Sequence, residues 1–122
     1  MLKAAEIISG GTNGVFTIGL FPGDSTEDME NALRQQISKA GSDESILCLV
    51  DIPGGSPARV AAVLAVESPN FHVVSGLNLG MLTEALMLRE SMDIEQLKQH
   101  IMASAVITIK DVGAALNETL SQ

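Results

Sequence analysis

Apolar and polar positions along this chain switch between two periods, and the switching outlines its elements. Residues 2–9, "LKAAEIIS", read as the end of a helix, with Gly10 and Gly11 as its stop. "GVFTIGLF" (14–21) has the branched and aromatic character of a strand and runs into Pro22-Gly23. Asp24 or Ser25 can cap the next helix, where Met29, Ala32, Leu33, Ile37 and Ala40 recur at helical spacing up to Gly41. A second strand over 45–51 is apolar on both faces, as an interior strand of a parallel sheet must be. A helix from Pro57 to Val66 follows, Pro69-Asn70 turns the chain, and "FHVVSG" (71–76) makes a third strand. Leu79, Leu82 and Leu86 mark one further helix, and Ile94, Leu97 and Ile101 another. "AVITIK" (105–110), short and β-branched, is expected to be the last strand.

This alternation predicts an α/β fold: an open, mostly parallel sheet with helices on both faces. The 122 residues are expected to form a single domain, 1–122. Such folds usually open on a strand whose carboxyl end contributes to the site. Here the pattern opens inside a helix, so the first strand is expected to be missing.

Composition narrows the function classes. With three Phe and no Trp or Tyr, the core has to come from Leu, Ile, Val, Ala and Met. Fifteen acidic against seven basic side chains give a net charge of -8, the wrong sign for a surface that displaces counterions from nucleic acid. No nucleic-acid partner is expected. Cys48 is the only cysteine and lies inside the apolar run "SILCLVD", where it reads as a small buried hydrophobe. No run approaches the roughly 20 apolar residues that span a bilayer, and no signal-peptide pattern opens the chain, so a cytoplasmic setting is expected.

The candidate chemistry sits in "LVDIPGGSPARVAAVLAV" (49–66). Asp51 ends an apolar strand, at the edge where open α/β sheets collect ligands. Gly54 and Gly55 allow the backbone to turn sharply and approach a ligand, Ser56 can cap the following helix, and Pro57 suits its first turn. Amides of that first turn, with the Ser56 hydroxyl, make a cradle for an anion. The same residues also describe an ordinary tight loop before a capped helix. They match neither the phosphate loop of nucleotide-binding proteins nor the dinucleotide fingerprint. Asp51 is the sharper clue, because a carboxylate there can accept a histidine ring N–H and select the nucleophilic nitrogen. Neither histidine suits it: His72 opens a strand at the opposite end of the sheet, and His100 lies beside the apolar stripe of a late helix. Arg59 is the nearby cation and reads most simply as an exposed helix residue. No cofactor and no metal is expected.

"FPGDSTEDMENAL", "LVDIPGGSPARVAA" and "VVSGLNLGMLTEAL" stand in the order and spacing of the mannose-type enzyme IIA domains, which the chain resembles over essentially its whole length. Those domains are cytoplasmic phosphocarriers of the bacterial phosphoenolpyruvate-dependent sugar phosphotransferase system. The resemblance implies a four-stranded parallel sheet and a fifth, antiparallel edge strand exchanged in a homodimer, for which 105–110 is the match. It implies a histidine in a Thr/Ser-His-Gly turn after the first strand. That histidine takes phosphate from the histidine phosphocarrier protein and passes it to a IIB domain, which serves a membrane permease. Asp51 matches the aspartate that orients the histidine, and Gly54, Gly55 and Ser56 fall in the matching phosphate-binding loop. Residue 1 aligns within the helix after the first strand, so that strand and its phospho-accepting histidine are expected to be absent from this sequence. Two other readings stay open: a non-catalytic regulatory or interaction module, and a small nucleotide- or phosphosugar-binding enzyme using the same loop.

Overall fold

The computed structural model describes residues 13–18, 25–41, 43–51 and 56–121. Helix α1 (Thr26–Ala40) starts where the sequence places a cap: Ser25 Oγ accepts from the Asp28 amide at 3.1 Å, and Asp28 returns the bond to the Ser25 amide at 3.3 Å. Gly41 ends α1 with φ +74, a region that glycine enters without steric cost. Strand β1 (Ile46–Val50), helix α2 (Ser56–Glu67) and strand β2 (Phe71–Ser75) follow. Helix α3 (Leu79–Leu88) and helix α4 (Ile94–Ile107) come next, the latter opened by a reciprocal cap between Asp93 and Gln96. Helix α5 (Val112–Ser121) closes the described chain.

The strands pair in parallel, Ile46 opposite Phe71 through to Val50 opposite Ser75. Side chains alternate across a strand, so this register sorts the sheet into two apolar faces. Ile46, Cys48, Phe71 and Val73 pack with Met29, Leu33, Ala61 and Leu64 of α1 and α2. Leu47, Leu49 and Val74 pack with Met81, Ala85, Leu97, Ile101 and Ala105 of α3 and α4. Helices therefore cover both faces, as the doubly apolar β1 requires.

Two predicted strands are corrected. The described part of 14–21, through residue 18, is turn and irregular backbone, and residues 19–21 lie outside the described residues. Ile18 still packs against the α1/α2 layer, but apolar side chains alone do not make a strand. A strand also needs a ladder partner, and among the described residues the sheet consists of β1 and β2. The expected edge strand 105–110 is likewise not formed: α4 continues to Ile107, and residues 108–110 are turn and coil. Leu97, Ile101 and Ala105 form one buried stripe at four-residue spacing, so burial of Ala105 carries the helix into the β-branched segment. Hydrogen bonds to the preceding turn are available within the chain, whereas a strand there would need another edge. The helix expected over 2–9 lies outside the described residues.

Candidate functional site

The carboxyl edge of the sheet gathers three segments. Asp51 follows β1 and is exposed. Its carbonyl accepts from the Gly76 amide at 3.2 Å, and the Val50 carbonyl accepts from the Leu77 amide at 3.0 Å. The turn after β2 is thereby laced to the end of β1. Gly76 has φ +86, which a side chain would strain. Two residues on, Asn78 caps α3 with its Oδ1, which accepts from the Met81 amide at 2.9 Å. The third segment is α2, which begins at Ser56. Two helix N-termini thus stand at the strand ends, and their free amides and dipoles favour negative charge there. The edge can hold an anion chemically, with an acidic acceptor, Asp51, beside it.

Ser56 also borders a shallow groove between α1 and α2, lined by Thr26, Glu30, Arg59, Val60 and Val63. Arg34 bonds Glu30 at 2.8 Å and Glu67 at 2.9 Å, joining the two helices on their exposed side. Donating hydrogen bonds to Glu67 and Glu30 holds the Arg34 guanidinium above its usual pKa. Of the predicted site residues, Asp51 and Ser56 are described, both exposed, while Gly54 and Gly55 lie outside the described residues.

Neither histidine comes to this edge. His72 is the second residue of β2, three residues before its end, or about 10 Å at the usual rise of a strand. Its Nδ1 lies 3.7 Å from Glu95 of α4, which Lys98 also holds at 3.1 Å. His100 Nε2 is hydrogen-bonded to Glu84 of α3 at 3.0 Å. Burial pushes the Cys48 thiol pKa up, which makes it a poorer nucleophile. Among the described residues no three His, Cys, Asp or Glu side chains are grouped to hold a metal ion. Nor is any helix among them long and apolar enough to cross a membrane.

Sequence reasoning assigned no role to Gly76, Asn78 or Glu84. A glycine straight after a strand and an asparagine three residues before a helical amide were the available signals for the first two. Glu84 meets His100 across sixteen residues of sequence, a contact that no local pattern encodes.

Comparison with known proteins adds independent findings. A family model, EIIA-man, described as "PTS system fructose IIA component", matches residues 1–102. The "PTS system mannose-specific EIIAB component" of Escherichia coli K12 is 34% identical over 90 residues, covering 74% of this chain and 28% of that protein. The chain thus spans little more than a quarter of that relative. The sorbose-specific EIIA component of Klebsiella pneumoniae is 32% identical over 105 residues, covering 86% of this chain and 76% of that one. Among solved structures, a phosphotransferase system component EIIA from Streptococcus agalactiae superposes with a TM-score of 0.84 at 32% identity. That match covers 93% of this chain and 87% of the other.

Proposed function

The chain belongs to the EIIA-man family of phosphotransferase-system IIA components, and from that premise we propose that it is the cytoplasmic phosphocarrier domain of a sugar-uptake system. In this reading phosphate arrives from the histidine phosphocarrier protein and leaves to a IIB domain, which serves a membrane permease. The protein acts as a homodimer. The observation that supports the reading is the lacing of the Gly76–Asn78 turn to Asp51 and Val50 at the end of β1, with the next helix, α2, beginning at Ser56 five residues after Asp51.

The chemistry assigned to these residues is positioning and charge stabilisation. The Asp51 carboxylate accepts a ring N–H of the phospho-accepting histidine, which directs the other ring nitrogen at phosphorus. The Ser56 hydroxyl, the α2 amides and the glycines Gly54 and Gly55 hold phosphoryl oxygens as charge moves between donor and acceptor. The acceptor itself is neither His72 nor His100, because both stand away from this edge and face glutamates.

The test is incubation of the chain with labelled phosphoenolpyruvate, enzyme I and the phosphocarrier protein. A parallel sample carries an upstream extension encoding a strand and a Thr/Ser-His-Gly turn. The extended form is expected to gain acid-labile phosphate while the present chain stays unlabelled. Label on His72 or His100 would overturn the site assignment.

The placement of both histidines also favours a second reading, a non-catalytic module that binds a IIB partner. Capture of a IIB domain by a chain that takes no phosphate in either form would support it over the first.

A further inference from the structure

The first turn of α3 and the end of α4 approach so closely at Gly80 that a side chain there would collide with Thr108. A Cβ placed on Gly80 would lie 2.6 Å from Thr108 Cγ2, and 3.2 Å from both its Cβ and its Oγ1. Thr108 is not free to swing aside. Its Oγ1 donates to the Ala105 carbonyl at 2.7 Å, and its amide bonds the same carbonyl at 3.3 Å. Ala105 and Ile101 beneath it are in the core, Ile101 fully buried. The methyl of Thr108, an exposed residue at the end of α4, is thus held by its own hydroxyl bond facing the α3 backbone at Gly80.

That backbone leads directly to the candidate site. Gly80 is the second residue of α3, two after the Asn78 cap. The residues just before Asn78, Gly76 and Leu77, bond the carbonyls of Asp51 and Val50. A lateral shift of the α3 first turn is thus passed through the turn to the Asp51 backbone.

We propose that Thr108 is a positioning residue for the sheet-edge site, acting through its contact with Gly80 to set the Gly76–Asn78 turn and with it Asp51. The proposal deepens the phosphocarrier reading and rests on it for its functional consequence. With a Cβ added at Gly80, relieving its 2.6 Å approach to Thr108 to an ordinary contact requires a displacement of about 1 Å, and errors of that size at a reacting centre cost on the order of a hundredfold.

The experiment compares the full chain with Gly80→Ala, Thr108→Ser and the double variant, which removes the obstructing methyl. Amide NMR spectra report the geometry, and titration with inorganic phosphate reports the site. Leu33→Ala, in the opposite core layer, serves as a control that is destabilised without touching the turn. Gly80→Ala is expected to shift the Gly76 and Asp51 amides and weaken phosphate at least about tenfold, while Leu33→Ala leaves affinity within about twofold. The double variant is expected to return both readouts toward wild type. Thr108→Ser alone folds without any clash and is expected to move the same amides, so the test does not depend on Gly80→Ala folding. Wild-type amide positions in Gly80→Ala, or no recovery in the double variant, would overturn the proposal. A wild-type chain whose Ser56 and Asp51 amides ignore phosphate would instead overturn the phosphocarrier reading, leaving the positioning role to be judged on the amide shifts.

Discussion

Replacing Asn78 by alanine removes the side-chain acceptor that caps α3, its Oδ1 bond from the Met81 amide at 2.9 Å. The bond is partly buried, so water replaces it incompletely, and loss of such a cap costs about 1 kcal/mol within a range of roughly 0.5–2. For a domain of this size the unfolding entropy converts about 1 kcal/mol into a fall in Tm of about 4 °C. Asn78→Asp keeps an acceptor at the same position and adds a negative charge that the helix N-terminus favours by about 0.3–1 kcal/mol. It should melt at or above wild type. Asn78→Gly should fall between, a few tenths of a kcal/mol below wild type. Urea unfolding followed by far-ultraviolet circular dichroism ranks the three. An Asn78→Asp variant as unstable as Asn78→Ala, or an Asn78→Ala variant indistinguishable from wild type, would show that the asparagine does not work as a cap. Its place in the "SGLN" segment would then need a direct role at the site.

Two further outcomes test the core. Ile101→Ala empties a fully buried position between α4 and the sheet and should cost about 2–5 kcal/mol in the same urea assay; a loss below about 1 would refute the packing. Cys48 binds its proton more tightly folded than unfolded, because burial raises its thiol pKa. The folded state thus holds the extra proton, and stability should fall as pH rises through the unfolded thiol value of about 8.5. A Cys48→Ala chain should lack that component of the decline, and equal slopes for the two chains would refute it.

Much of the fold could be read from local pattern, for reasons visible at particular residues. The Ser25–Asp28 box needs only four consecutive residues, and it starts α1 where spacing predicts. The unbroken apolar run of β1 calls for cover on both faces, and two separate packed layers provide it. The places of Asp51 and Ser56 in the fold were legible for the same reason: a strand end and a helix start adjoin in sequence. Gly76 and Asn78 were visible as turn chemistry, but their bonds to the end of β1 belong to the parallel register and not to either segment alone.

Sequence by itself thus determined the α/β class, the two strands expected over 45–51 and 71–76 and formed at 46–50 and 71–75, and the apolar faces that bury them, since each follows from period and capping within a few residues. Tertiary structure decided the rest. "AVITIK" has the composition of a strand, yet Ala105 extends the buried stripe of Leu97 and Ile101, so packing keeps its first residues in α4. The positions of His72 and His100 relative to Asp51, and the meeting of Gly80 with Thr108, likewise depend on how distant segments stack. Periodicity states which face a residue shares with its neighbours. Which other face it meets is chosen only when the layers close against one another.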